Sequence, residues 1–198
     1  MEPLREGIWR WEARHPAWSE DDGGPDGWGP GVASYAIDAE EVLLLVDPLA
    51  VPADVETLAS GRETAIVLTC PWHERDARAV GERLGAPIFV PPPDEGDQDP
   101  TPGTVFAAGD RLPGGVEAFA GIEPNDLVLW IERHGALVLG DTLVDRGEGL
   151  EIPLTWLRDV TLAEVLATLR PLLDLPVEVV LPTHGPPAGR DALVRAIS

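Results

Sequence analysis

A compact cluster of polar residues follows an apolar run in the segment AIVLTCPWHERD, Ala65–Asp76. The apolar run predicts a buried strand, and the cluster after it contains a thiol, an imidazole, a guanidinium and carboxylates. Two later segments share this design: GALVLGDTL places Asp141 after an apolar run, and VEVVLPTHGPP places His184 after another. In open α/β folds, ligands bind at the carboxyl ends of the strands. The sequence therefore predicts that the three clusters meet at one edge.

The cluster contains the single cysteine of the chain, Cys70. A thiol at a strand end, close to His73 and to a helix N-terminus, has the features of a nucleophile with a lowered pKa. The alternative is a small buried apolar residue. We favour this alternative, because no oxyanion hole is evident nearby and Pro71 contributes no N–H donor. One cysteine also excludes an intramolecular disulfide and a multi-cysteine zinc site.

The elements that must position these residues alternate between strands and helices. Apolar runs predict strands at Ala65–Leu68, Ala136–Leu139 and Val177–Leu181. Apolar residues spaced as on one face of a helix predict helices at Glu74–Leu84 and Thr161–Leu173. Sheets covered by helices on their outer faces satisfy this order of elements.

Composition limits the domain organisation and the partners. No repeat or linker divides the chain, so we expect residues 1–198 to form a single domain. No run approaches the roughly 20 apolar residues of a membrane span, and the N-terminus has no signal-peptide pattern. The formal net charge is −21, with no lysine, and such a surface repels phosphate backbones and anionic lipids. We expect a cytoplasmic protein with a small-molecule ligand or substrate, without nucleic-acid or membrane partners; the oligomeric state stays open.

Five segments, in the correct order and spanning nearly all of the chain, resemble the metallo-β-lactamase fold superfamily. Each corresponds to one family feature: a strand that ends in a structural aspartate, an H-x-H-x-D-H motif after a threonine, a segment with a further histidine, a bridging aspartate, and a final histidine. The segments are VLLLVDP, AIVLT with the cluster after it, FAGIEPNDLVLWI, LVLGDTL and VLPTHGPP. The resemblance implies an α/β (α+β) fold, an αββα sandwich of two mixed sheets flanked by helices.

The main motif departs from the family pattern. Counted directly from the threonine, Cys70 and Trp72 stand at the first two histidine positions, Glu74 at the aspartate position and Arg75 at the last histidine position. If the loop holds one extra residue, His73 falls on the second histidine position instead. Both registers stay open.

The remaining motifs are only partly retained. Ile122 stands where the downstream histidine is expected, and only Asp141 and His184 match without qualification. Too few ligands remain for two ions. The resemblance therefore implies one Zn, Fe or Mn ion or none, with the candidate ligands His73, Glu74, Asp141 and His184.

Two of the replacements have their own implications. The Arg75 guanidinium, placed where a ligand belongs, could pair with Asp141 in a bidentate contact and replace the metal charge. The alternative is an exposed helix arginine bonded to a neighbouring acid. If the fold is of this type, Trp72 projects into the cavity that metal and water occupy in the family.

The resemblance leaves two functions open. The first is a divergent hydrolase with a reduced, mononuclear metal site that acts on an ester or thioester. The second is a catalytically inactive binding or regulatory module without metal. The sequence leaves open whether the protein is an enzyme. The motif losses favour the second function, whereas the presence of both Asp141 and His184 supports the first.

Overall fold

A computed structural model describes residues 1–158 and 160–198. Seven strands form the first sheet in chain order. The first four strands pair antiparallel, and the fourth to the seventh pair parallel. The strands are β1 (Glu2–Arg5), β2 (Ile8–Arg14), β3 (Gly31–Ala39), β4 (Val42–Val46), β5 (Glu63–Val67), β6 (Ile88–Val90) and β7 (Thr104–Val105).

A second mixed sheet and a short hairpin use the rest of the strands. They are β8 (Arg111–Leu112), β9 (Val116–Ala120), β10 (Leu127–Ile131), β11 (Ala136–Leu139), β12 (Val144–Asp145), β13 (Leu150–Glu151) and β14 (Val179–Pro182). The second sheet has the order β14-β11-β10-β9-β8, and β12 pairs with β13. Strands β11 and β14 are parallel, whereas β8 to β11 pair antiparallel.

Within residues 1–158 and 160–198, the structure has four α-helices and six 3-10 helices. The α-helices are α1 (Ala53–Ala59), α2 (Ala77–Leu84), α3 (Leu162–Leu169) and α4 (Arg190–Ile197). The 3-10 helices are Glu20–Asp22, Pro71–His73, Pro113–Gly115, Glu132–His134, Leu154–Trp156 and Arg170–Asp174. Within the described part of the chain, no helix has the length and apolar character needed to cross a bilayer.

Two predicted helices are shorter than expected. The helix predicted at Glu74–Leu84 begins only at Ala77, because Arg75 adopts a left-handed conformation with φ 47° that interrupts helical geometry. The helix predicted at Thr161–Leu173 ends at Leu169 and continues as a 3-10 helix, because Pro171 lacks the N–H that the α-helical ladder needs.

Three apolar clusters define the layers. The central cluster packs the inner faces of the two sheets together, with Leu44 and Val67 from the first sheet and Leu129 and Val138 from the second. A second cluster packs α1 and α2 on the first sheet, and a third packs α3 and α4 on the other. The predicted αββα sandwich is therefore confirmed.

Candidate functional site

The carboxyl ends of four strands converge at one end of the sandwich. Asp47 follows β4, Thr69 lies two residues after β5, Asp141 two residues after β11, and His184 two residues after β14. Strands β4 and β5 are parallel neighbours in one sheet, and β11 and β14 are parallel neighbours in the other. The backbone N–H of Leu127 donates to the Thr69 carbonyl and joins the two sheets at this end. The predicted meeting of the three clusters is observed.

Asp47 is the buried centre of this region, with 1 % of its surface exposed. Its Oδ1 accepts from the Thr69 N–H at 2.9 Å. Its Oδ2 accepts from Thr69 Oγ1 at 2.6 Å and from Thr183 Oγ1 at 3.3 Å, and lies 3.0 Å from His73 Nδ1. Burial raises the pKa of this carboxyl, but the charges of His73 and Arg75 outweigh burial and lower it. Asp47 is therefore an anion that holds His73 in place.

His73 ends the 3-10 helix Pro71–His73 and is 5 % exposed. Its Nδ1 lies beside Asp47 and Thr69, so its Nε2 is directed toward Asp141, with 3.4 Å between Nε2 and Asp141 Oδ1. Burial and the Arg75 guanidinium lower the pKa of His73. The carboxylates of Asp47 and Asp141 outweigh both effects and raise it to about 9. Without a metal, His73 is therefore a buried imidazolium at neutral pH.

Asp141 uses its two carboxylate oxygens differently. Oδ2 accepts a 2.7 Å hydrogen bond from the indole Nε1 of Trp72. Oδ1 lies 3.4 Å from His73 Nε2 and 3.2 Å from His184 Nε2, but neither approach has hydrogen-bond geometry, so Oδ1 is buried without a hydrogen-bond partner. Burial raises the pKa of Asp141, and His73 and His184 outweigh burial and hold it well below its usual value. Burial lowers the pKa of His184.

Of the four candidate ligands from the sequence, the structure brings together His73, Asp141 and His184. Glu74 lies apart from them, because its carboxylate accepts from Thr101 Oγ1 and contacts Arg78. The side chain that faces Asp141 is therefore that of His73 and not that of Glu74.

Cys70 lies beneath this group and is fully buried. Its sulfur, one His73 nitrogen and one Asp141 oxygen all lie within 4.8 Å of one another, so the thiol adjoins the candidate ligands. Burial, followed by the Asp141 carboxylate, raises the pKa of the thiol well above its usual value. A raised pKa is the opposite of what a thiolate nucleophile needs, which agrees with the prediction of a small buried residue.

Both expectations for Arg75 were wrong. Its guanidinium neither pairs with Asp141 nor bonds an exposed acid, because Nη1 donates to the backbone carbonyls of Ala33 (3.0 Å) and Asp47 (2.8 Å). The left-handed backbone at Arg75 turns its side chain inward instead of along a helix surface. The guanidinium therefore adds a positive charge beneath the site without replacing a metal.

Sequence reasoning missed Asp126, a fully buried acid next to the site. Its carboxylate accepts from Thr142 Oγ1 at 2.6 Å and from the Asp141 N–H at 3.3 Å. Burial, together with the Asp141 carboxylate, raises the pKa of Asp126 to about 8. The sequence did contain one signal for a buried acid. Asp126 stands directly before the apolar strand β10, where its side chain does not reach solvent.

A pocket of about 340 Å³ opens over His73, Asp141 and His184. Three indoles from separate segments line it, those of Trp28, Trp72 and Trp156. Trp28 and Trp156 also border a neighbouring groove of about 710 Å³.

A fourth aromatic ring at this pocket is that of His15. It lines the pocket and packs edge-on against Trp28, with 5.1 Å between ring centroids.

Solved structures of other proteins share this architecture. The DIM-1 metallo-β-lactamase superposes with a TM-score of 0.72 at 17 % identity, over 98 % of this chain and 92 % of that one. A metallo-β-lactamase from Pontibacter korlensis gives 0.69 at 16 % identity, over 98 % and 94 %. TTHA1623, solved in a di-iron-bound form, gives 0.65 at 24 % identity, over 88 % and 96 %. No family model and no curated protein matches the sequence.

The chain therefore has the metallo-β-lactamase fold. Its identity to these three proteins is 16–24 %, so within that class of protein the chain is divergent in sequence.

Proposed function

We propose that this protein is a hydrolase with a single divalent metal ion, held by His73, Asp141 and His184, that cleaves an ester or thioester. One observation carries the proposal: Asp141 Oδ1 is a buried carboxylate oxygen with no hydrogen-bond partner, while two imidazole nitrogens lie 3.4 and 3.2 Å from it. A buried anionic oxygen in this state is costly unless a cation or a donor compensates it.

The distance of Asp141 Oδ1 from each of the two imidazole nitrogens fits a metal site. Ligand atoms at neighbouring corners of a tetrahedral zinc site, with bonds of about 2.0–2.1 Å, lie about 3.3–3.4 Å apart. The two distances from Asp141 Oδ1 to the imidazole nitrogens match this edge length. Two imidazoles and one carboxylate suit zinc, iron or manganese, so the donor set leaves these ions as alternatives.

Residues behind two of the three proposed ligands, His73 and Asp141, hold them in the required orientation. Asp47 lies 3.0 Å from His73 Nδ1, the nitrogen that faces away from Asp141. A carboxylate behind a ligating imidazole fixes the tautomer and the orientation of the ring. Trp72 has the same effect on Asp141, because its N–H binds Oδ2 and leaves Oδ1 for a metal.

Three protein ligands leave a position for a reactant, as in catalytic metal sites. The bound ion would supply Lewis acidity toward a carbonyl oxygen. The residues of the chain orient the reactants: the imidazoles and Asp141 lie at the base of the pocket, and the indoles of Trp28 and Trp156 limit the access of water from its sides. The pocket therefore admits a small-molecule substrate directly over the candidate ligands.

The second candidate function is an inactive binding or regulatory module without metal. The observation that favours it is the charge balance: with a pKa of about 9, His73 is an imidazolium that compensates the charges of Asp47 and Asp141. Ile122 also stands where the resemblance places a histidine, as do Cys70 and Trp72 when the motif is counted directly from Thr69.

Metal analysis of the untagged protein, purified without added metal, tests the proposal. We expect about one ion per chain in the wild type and less than a tenth of that in His184→Ala and Asp141→Asn. His134→Ala is the matched control, because His134 contacts the Asp38 carbonyl away from the site. Metal that is substoichiometric in the wild type, or that persists in both variants, would contradict the proposal. Hydrolysis of phenyl acetate or phenyl thioacetate that disappears with the metal would support the catalytic part.

A further inference from the structure

The pocket over the candidate ligands has indole walls on three sides. Trp28 comes from the loop between β2 and β3, Trp72 from the 3-10 helix Pro71–His73, and Trp156 from the 3-10 helix Leu154–Trp156. Trp72 is 37 % exposed and the other two are half-buried. Ligand pockets are lined mainly by apolar and aromatic side chains, so three partly open indoles around one cavity form a surface suited to an apolar ligand.

Hydrogen bonds hold two of these indoles by their polar edges. Trp72 Nε1 donates to Asp141 Oδ2 at 2.7 Å, and Trp156 Nε1 donates to the Asp26 carbonyl at 3.1 Å. The guanidinium of Arg146 lies 5.2 Å from the Trp156 ring centroid and packs against it. Because their donors are engaged within the protein, Trp72 and Trp156 offer a ligand ring carbons and π-faces.

The aromatic walls continue down to His184. The ring centroid of Trp28 lies 5.4 Å from that of His184, and the centroid of Trp156 lies 5.9 Å from it, both in edge-to-face geometry. Aromatic pairs favour this arrangement at such distances. A group held between the indoles therefore lies directly beside His184 and close to Asp141.

We propose that this pocket binds a planar aromatic group, and that the substrates are aryl esters or aryl thioesters. The naming of the substrates rests on the hydrolase proposed above, whereas the binding of the aromatic group does not. A volume of about 340 Å³ accommodates a fused two-ring group. Stacking on the indole faces favours a planar aromatic group over an aliphatic group of similar size.

Equilibrium binding of 2-naphthol tests the proposal without any turnover. Titrations monitored by tryptophan fluorescence would use protein treated with EDTA and protein loaded with zinc, so that failure of metal binding and failure of ligand binding are distinguished. We expect saturable 1:1 binding in both forms, weakened about tenfold in Trp28→Ala and in Trp156→Ala. Trp9→Ala is the matched control and should bind as the wild type does, because Trp9 lies on β2 away from this pocket.

A second measurement uses only the wild-type protein, so it does not depend on whether a variant of the pocket folds. The chain has seven tryptophans, and their indole N–H signals can be followed in protein labelled with 15N-tryptophan. We expect 2-naphthol to shift the signals of Trp28, Trp72 and Trp156 and to leave those of Trp9, Trp11 and Trp130 in place.

Four results would overturn the proposal. They are the absence of saturable binding by the wild type, equal weakening in the Trp9→Ala control, binding of decahydro-2-naphthol at least as tight as that of 2-naphthol, and shifts confined to Trp9, Trp11 or Trp130.

Discussion

The indole N–H of Trp72 donates a 2.7 Å hydrogen bond to Oδ2 of Asp141, 69 positions further along the chain. Because of this contact, the two oxygens of Asp141 have different surroundings: Oδ2 is held by Trp72, and Oδ1 faces the imidazoles of His73 and His184. In the resemblance drawn from the sequence, Trp72 stands at a histidine position of the motif when the residues are counted directly from Thr69. Trp72 itself does not bind metal, but its N–H fixes the orientation of Asp141, a candidate metal ligand.

Replacing Trp72 by phenylalanine tests this relationship. Trp72→Phe keeps an aromatic ring and removes only the N–H, so Asp141 is free to rotate. We expect the dissociation constant for zinc, measured by competition with a chelator, to rise about 10–100-fold, which is typical when a group that orients a ligand is lost. Trp9→Phe is the matched control, and an equal change in both variants would contradict this role of Trp72.

Asp47→Asn removes the charge behind His73 while keeping the shape of the side chain. Because Asp47 is buried and contacts Thr69, His73 and Thr183, we expect the free energy of unfolding of the metal-free protein to fall by about 3–5 kcal/mol. The pKa of His73, followed by NMR, should decrease from about 9.

The matched control for that variant is Asp38→Asn, which breaks the partly exposed ion pair with Arg62. We expect it to cost less than about 1 kcal/mol. An unchanged pKa of His73 in Asp47→Asn would show that Asp47 does not set its protonation.

Glu74 and Asp141 should respond differently to loss of charge. Glu74→Gln affects a carboxylate that contacts Arg78 and Thr101, so we expect the zinc dissociation constant to stay within about twofold of the wild-type value. Loss of a group that only orients a ligand weakens metal binding by about 10–100-fold. Asp141→Asn changes a proposed ligand itself, so it should weaken zinc binding by more than this. Isothermal titration calorimetry distinguishes the two, and equal weakening would return Glu74 to the set of ligands.

The stability of the metal-free protein should fall as the pH rises from 7 to 9. The folded-state pKa of His73 is raised from 6.5 to about 9, so its stabilising charge is fully present below about pH 6.5 and is lost as the pH rises through 9. We expect a loss of about 1–3 kcal/mol in urea unfolding. Asp126, with its pKa raised to about 8, contributes in the same direction.

His73→Gln isolates the imidazole in this experiment, because Asp126 remains in both proteins. The slope of stability against pH should flatten in His73→Gln and stay as in the wild type in His134→Gln. A wild-type slope in His73→Gln would assign the effect to other groups.

The buried strands and the order of the motifs were predictable from sequence, because apolar runs such as Ala136–Leu139 can only be satisfied inside a sheet. The start of α2 was not predictable, since nothing in the residues 74–76 alone reveals that Arg75 takes a left-handed backbone. The partners of its guanidinium were equally hidden. They are the backbone carbonyls of Ala33 on β3 and of Asp47 just after β4, which come close to Arg75 only after the chain has folded.

The sequence by itself indicated the sandwich, through the resemblance carried by five segments in the correct order, and the edge at which Asp141 and His184 lie, through local apolar patterns and strand ends. Only the tertiary structure decided that His73, and not Glu74, faces Asp141, and that Trp28 and Trp156 form the walls of a pocket. The physical reason is distance along the chain. These relationships join side chains many residues apart, and their geometry depends on how two sheets pack against each other, which no local pattern encodes.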